Sequence, residues 1–171
     1  MAKKRNLNYL LIIVFLIILL YGYFVNNKPI IGVASSGYLC LAQSLVEGKG
    51  YRSVWLAEEP LEVKLPFGFS LLLVPLIYLW GINFFVIKLF MVTVALLSFY
   101  FIYQLIRMIH PYFSLAVVLL TAFSWYVFKY AHIVLSEIPY LCFSVLFIFC
   151  ALKSVSYTHL RAHETSLHLV C

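Results

Sequence analysis

Aspartate is absent: all six acidic residues in the 171-residue chain are glutamate. Any carboxylate chemistry must therefore run without it. Charge of either sign is scarce, at 11% of residues, against roughly 25% in an ordinary soluble domain, and that excludes the soluble class. Cysteine is sparse too. The four present (Cys40, Cys142, Cys150 and Cys171) lack the paired spacing of a metal site. Cys142 and Cys150 stand in an apolar run, where cysteine acts as a small hydrophobe. Basic residues outnumber acidic ones, for a net charge of +6. They are scattered at the flanks of apolar runs, with no patch interleaving Arg or Lys with exposed aromatics, which speaks against nucleic acid as a partner.

What fills the chain is hydrocarbon. Apolar residues make up 65%, and 15 Phe and 13 Tyr add aromatic mass that a bilayer and its interface accept. The fold class expected is an all-α polytopic membrane protein: about four transmembrane helices, with loop and half-embedded juxtamembrane helices besides. MAKKRN carries three positive charges ahead of LNYLLIIVFLIILLYGYFV, a run of about the length that crosses ~30 Å of hydrocarbon. A signal peptide is the alternative, but the run is long for one and no small-x-small cleavage site follows promptly. Read as a signal anchor over residues 7–25, it keeps Lys3, Lys4 and Arg5 in the cytoplasm and releases the chain outside near Asn26.

Residues 26–66 form the only substantial polar loop. Within VASSGYLCLAQSLVEGKGY, Ser35 or Ser36 can cap a short helix, Leu41 and Leu45 recur at helical spacing, and Gly48 can end it in a left-handed conformation. A short amphipathic helix at the membrane surface fits. Residues 67–81, FGFSLLLVPLIYLWG, are apolar but thin for a crossing, so they read as interfacial or re-entrant.

Longer spans are expected over 83–108, 112–129 and 138–152. With the short segment held outside, the first of these delivers Arg107 to the cytoplasm, His110-Pro111 turns the chain, and Lys153 arrives inside. Treating the segment as a true span puts Arg107 outside, against the positive-inside bias. Lys88 is expected to snorkel toward the outer headgroups. Lys129 falls outside, the one residue against this arrangement. The expected location is the plasma (inner) membrane, multi-pass, with a cytoplasmic N-terminus.

After Lys153 the character changes: SVSYTHLRAHETSLHLVC is polar and holds three of the five histidines. His159 and His163 are one turn apart, with Glu164 and His168 close by, a pattern that invites zinc. VSYTHLRAHET, however, resembles the translated adapter sequence found at the ends of proteins from fragmentary assemblies. On that reading residues 154–171 are a non-native tail without chemistry, and 1–153 are the N-terminal part of a truncated transmembrane domain.

Three features then share one side of the membrane: the loop helix, EVKLPFG and AHIVLSEIP. Glu137 is the candidate catalytic residue, because a carboxylate between two apolar runs is costly. Its plainer reading is a helix start, where an acid gains from the dipole and Pro139 suits the first turn. Lys64, ahead of Pro66, can meet a lipid phosphate as a point charge or be an ordinary interfacial lysine. Tyr38, Tyr51 and Trp55 suit a headgroup belt, and Tyr38 can also stack on a sugar. His132 reads first as interface polarity.

GYLCLAQSLVEGKGY, then KLPFGFSLLLVPLIYLWGINFFVIKL, then HIVLSEIPYL, in that order and spacing, resemble the N-terminal part of GT-C membrane glycosyltransferases. These are lipid-linked-sugar enzymes related to protein O-mannosyltransferases and lipid A aminoarabinose transferases. The resemblance covers about residues 7–153. It implies transfer of a sugar from a polyprenyl-phosphate donor to a lipid, glycan or protein acceptor on the outer side. The family's first loop carries an aspartate four residues before a tyrosine, acting as base or in a metal environment. Tyr38 and Ala42 match that pattern, but Ala34 occupies the aspartate position. Lys64, Leu65 and Pro66 match the family's Lys-x-Pro-Pro segment, with Phe67 where the second proline would be; its lysine contacts the carrier phosphate, and Glu137 matches a second acidic position.

The resemblance thus names Glu137 as catalytic and Lys64 and Tyr38 as substrate-binding. It leaves a divalent metal as the only candidate cofactor, with no residues assigned to it. Glu58, Glu59 and Glu62 lie in the same loop, and nothing in their spacing chooses among them as a replacement for the aspartate. Because the family's later spans are missing, the 171-residue chain is not expected to transfer sugar alone. Two other classes compete. A transporter or channel fragment calls for polar spans and helix breaks near the midplane, whereas the middle spans carry little beyond Thr93, Ser98 and Thr121. A non-catalytic membrane scaffold fits the lost aspartate.

Overall fold

The structure, a computed structural model, describes residues 2–28, 32–53, 56 and 61–168, with side chains from Ile12 to Val155. In chain order the helices are α1 (Ala2–Tyr23), α2 (Val33–Val46), α3 (Phe67–Trp80), α4 (Phe84–Ile109), α5 (Ser114–Ala122), α6 (Trp125–Ala131) and α7 (Glu137–His168). No strand occurs among the described residues, where the β pairing is a lone bridge between Arg52 and Leu61. Two stretches, Phe84–Ile109 and Glu137–Val155, are long and apolar enough to cross a membrane, and a third if α5 and α6 count as one bent span. The chain is an all-helical protein with the apolar helices of a membrane protein.

α4 is the centre, packing against α7, α5, α6, α1 and α3, while α2 and α3 form a pair. Its start is built by Asn83, whose side-chain oxygen accepts from the Phe85 and Val86 amides at 3.0 and 3.3 Å. That satisfies two of the donors a helix start leaves orphaned. Its end comes where Pro111 forbids continuation: the Phe113 amide folds back to the His110 carbonyl at 3.2 Å.

α2 departs from expectation at its start and agrees at its end. Neither Ser35 nor Ser36 caps it, because the helix begins at Val33 with Gly32 in the cap position and no side-chain cap bond. Ser36 instead bonds the Val33 carbonyl at 2.8 Å, and the buried Ser35 hydroxyl has no hydrogen-bond partner among the described residues. Gly48 does end the helix, at φ +73°. Lys49 N reaches Ser44 O at 3.0 Å and Gly48 N reaches Leu45 O at 3.1 Å, the two reversed bonds of a Schellman ending.

The expected 112–129 span is broken. α5 and α6 meet at 62°, although neither Pro nor Gly lies at the joint. The freed backbone groups find partners all the same, as apolar surroundings require. Phe123 N bonds Leu119 O at 2.9 Å, Ser124 N bonds Thr121 O at 3.2 Å, and the Ala122 carbonyl accepts from the Tyr21 hydroxyl at 2.7 Å. Thr121 Oγ1 back-bonds to Val117 O at 2.8 Å, a contact that bends helices. Tertiary contact with α1 thus supports a bend that composition does not announce.

Lys88 is the second correction. It does not snorkel: only 1% of it is exposed, and its ammonium donates to Asn26 Oδ1 at 2.8 Å and to the Lys28 carbonyl at 2.6 Å. Those acceptors follow α1, so the exit of α1 and the entry of α4 lie at one end of the bundle. His132, after α6, touches the Tyr21 carbonyl, which brings the start of α7 to the same end. α3 both begins and ends there. Its Phe69 and Ser70 contact Tyr38, and Gly81–Asn83 join it to α4. At ~21 Å for 14 residues it is too short to match the long helices.

α7 runs on without a break through Lys153 to His168. The side chains of Lys3, Lys4, Arg5, His159, His163, Glu164 and His168 lie outside the described residues, as do Trp55, Glu58 and Glu59 entirely.

Candidate functional site at the polar end

The polar end is organised around α2, whose faces do different work. Helical spacing puts Ala34, Gly37 and Cys40 on one side, where they line a cavity of about 850 Å³ with Ser36, Ser53, Glu62 and Lys64. Ser35, Tyr38, Leu39 and Ala42 are buried on the other. At Gly37 the Leu65 side chain of the returning loop comes close: a Cβ there would stand 2.6 Å from Leu65 Cδ1, so that side chain would have to turn aside.

The loop is pinned by its own polar groups. Ser44 Oγ donates to Gly50 O at 2.8 Å, Glu62 N to Tyr51 O at 3.0 Å, and the Tyr51 hydroxyl to Leu65 O at 2.9 Å. Burial pushes the Tyr51 phenol above its ordinary value. Glu62 is the cavity's described carboxylate. Ser53 Oγ donates to one of its oxygens at 2.6 Å and the Lys64 amide to the other at 2.7 Å. The Ser53 bond first, then the Lys64 amide, holds the carboxyl below its usual range. It is a settled anion and a weak proton acceptor.

The three residues singled out from sequence separate into two places. Lys64 is exposed on the cavity wall. Tyr38 is buried, with its ring edge-on to Phe69 at 5.0 Å and its hydroxyl 3.3 Å from Ser136 Oγ. Glu137, next to Ser136, is exposed in the first turn of α7, with no hydrogen-bond or ion-pair partner among the described residues. The loop and the mouth of α7 therefore do meet, through Tyr38 and Ser136, whereas the Lys64 cavity lies across α2 from that contact.

Sequence reasoning had no way to place Glu62 at the cavity; Glu58 and Glu59 lie outside the described residues. The signal is tertiary: the antiparallel Arg52–Leu61 bridge sets Tyr51 opposite Glu62 and draws the two segments close enough for the Ser53 hydroxyl to reach the Glu62 carboxylate. Cys40 was likewise read only as a cysteine, yet it is a half-buried free thiol on the cavity wall. The other described loop carboxylate, Glu47, is committed elsewhere: Lys49 at 2.8 Å and Gln43 at 2.8 Å hold its pKa down.

A divalent metal does not fit the described residues. The cavity offers one described carboxylate, whose oxygens already accept two hydrogen bonds, beside a lysine, and hard cations need several oxygen ligands. No group of three or more His, Cys, Asp or Glu comes together among the described residues. A second, mostly apolar cleft of about 290 Å³ lies between α1, α4 and α5, where Gln104 and Tyr100 bond each other. No known protein family, curated protein or solved structure matches the chain.

Proposed function

We propose that the chain is the N-terminal part of a membrane glycosyltransferase that moves a sugar from a polyprenyl phosphate to an acceptor hydroxyl outside the plasma (inner) membrane. Four spans belong to this reading: α1, α4, the bent α5–α6 pair and α7, with the N-terminus cytoplasmic and α2 and α3 resting on the outer face. The observation that carries it is the 3.3 Å approach of Tyr38 to Ser136. It gathers the polar loop and the Glu137 carboxylate into one compartment, without which acceptor and donor have nowhere to meet.

The chemistry assigns the carboxylates different tasks. The acceptor oxygen bonds to the anomeric carbon, the bond from that carbon to the phosphate oxygen breaks, and the acceptor's proton passes to a base. Glu137, exposed and without a hydrogen-bond partner among the described residues, takes the proton in this reading, which requires the bound donor to reach round α2 from the Lys64 cavity to the mouth of α7. Glu62, held ionised by two donors, is the poorer base and instead fixes the backbone of Lys64. The Lys64 ammonium meets the charge gathering on the departing phosphate. Tyr38 holds the α7 corner to the loop.

The chain in nanodiscs, with Cys142, Cys150 and Cys171 replaced, tests this by alkylation of Cys40. Saturating polyprenyl phosphate hexose slows the alkylation, and Lys64→Ala removes that protection. Unchanged Cys40 reactivity at saturating donor rejects the donor site. Separately, cysteines introduced at Lys64 and Glu137 are both labelled from outside intact cells by an impermeant reagent. Labelling from opposite sides would make α3 a true span and end the reading.

A transporter fragment is favoured by one feature, the α5–α6 break, since transporters place broken helices at their sites. Against it, the joint is closed by Tyr21 and lines neither described cavity.

A further inference from the structure

His132 follows α6 and is buried, at 6% exposure. Its two ring nitrogens both face carbonyl oxygens: Nδ1 lies 2.8 Å from Phe128 O and Nε2 lies 2.9 Å from Tyr21 O. A carbonyl can only accept. A neutral imidazole carries one N–H and one lone pair, so it can satisfy one of these contacts and must repel at the other. Both are hydrogen bonds only when both nitrogens carry protons.

The two acceptors are of a particular kind. Phe128 O has lost its helical donor, because the His132 amide goes to Lys129 O at 3.1 Å. Tyr21 O has likewise lost Val25 N, which goes to Gly22 O at 3.1 Å. Each is an orphan carbonyl in the last turn of a helix, where the macrodipole favours a cation. Two helix C-termini thus converge on one ring. Around it stand Phe128, Tyr21 and Phe24, with centroids at 4.8, 5.8 and 6.1 Å, and aromatic rings attract a cation.

We propose that His132 is a proton-binding site, an imidazolium that clasps the C-termini of α1 and α6 and thereby sets the corner carrying Ser136 and Glu137 against Tyr38. Loss of one proton leaves a lone pair aimed at a carbonyl, opens one arm of the clasp and loosens that corner. Ionisable groups on the elements about this end include Tyr21 on α1 and Lys28 after it, Tyr38 on α2, Lys88 on α4, Lys129 and Tyr130 on α6 and Glu137 on α7; α5 contributes none. Tyr21 spends its hydroxyl on Ala122, Lys88 its ammonium on Asn26 and Lys28, and Lys129 lies over the Tyr130 ring at 5.7 Å. Among the described residues no ionisable side-chain group bonds the imidazole, whose partners are the two backbone carbonyls.

The test is nitrogen NMR of histidine-labelled chain in nanodiscs between about pH 5 and 8, with His132 assigned by its loss in His132→Gln. At the acid end both ring nitrogens should show the protonated shift. Spin labels at Val33 and Tyr140, both exposed, should give one narrow distance there. That distance should broaden with rising pH in step with the His132 signal, and the pH response should vanish in His132→Gln. A His132 that holds a single neutral tautomer throughout overturns the proposal, as does a pH response of the distance that survives in the variant. If the variant does not fold, the parent spectrum with the other four histidines replaced decides alone.

Discussion

Tyr21→Phe isolates one oxygen atom at the joint of a bent span. The parent side chain is fully buried, and its hydroxyl bonds Ala122 O at 2.7 Å. Phe keeps the ring and its edge contacts with Phe99 and Phe128 at 5.6 and 5.2 Å, and it leaves the Tyr21 carbonyl where His132 uses it. What remains is a buried carbonyl without a donor. Leaving such a group unmet costs about 1–3 kcal/mol in water-soluble proteins. Interhelical hydrogen bonds in membranes average only about 0.6 kcal/mol, with a maximum near 1.7, because the unfolded chain finds other partners. Here the carbonyl belongs to a helix end and Ala122 is 1% exposed, so no replacement is at hand. The expected loss is therefore at the upper end, about 1.5 kcal/mol. Tyr21→Ala, which also empties the ring's volume, should lose about 3–5 kcal/mol. Reversible unfolding in bilayer mimetics measures both. Spin labels at the exposed Leu120 and Tyr126 report the angle across the joint, which should relax in Tyr21→Phe. A Phe variant within about 0.3 kcal/mol of the parent, with the angle unchanged, would refute the claim that Tyr21 supports the bend.

Ser53→Ala should raise the Glu62 pKa toward the ordinary carboxylate value, read by carbon NMR titration, because the Ser53 bond is the largest cause of its depression. The sign follows: a lowered folded pKa contributes stability present above the ordinary value and lost as pH falls through the depressed one, so the variant's loop should loosen at higher pH than the parent's. Gly37→Val should displace the Leu65 tip at a cost of about 1 kcal/mol, the low end of overpacking because that side chain can turn aside, and Leu65→Ala in the same chain should recover part of it; full additivity of the two losses would disprove the contact. Tyr38→Phe and Ser136→Ala should each cost under about 1 kcal/mol at a contact this long, and the pair should cost no more than either alone.

Much of the scaffold could be read along the chain. Hydropathy expects long apolar runs over 83–108 and 138–152, and the structure has apolar helical stretches over Phe84–Ile109 and Glu137–Val155, since a helix that must meet hydrocarbon shows it in its side chains. Gly48, Pro111 and Asn83 act locally, so the ends they make follow from residue type. The break after Ala122 does not, because its support comes from Tyr21, 101 residues away. Lys88 was misplaced for a related cause. Snorkelling assumes a free path to water, and the residues after α1 close that path with two acceptors.

The amino-acid sequence by itself determined that the chain is helical and apolar, where its polar loop lies and that its carboxylates are all glutamate, because composition and period are local properties. Only the tertiary structure decided which carboxylate joins Lys64 at the cavity, that Tyr38 reaches Ser136 rather than open surface, and that two carbonyls flank the His132 ring. Those are distances between segments far apart in the chain. Packing sets them, and no residue carries them alone.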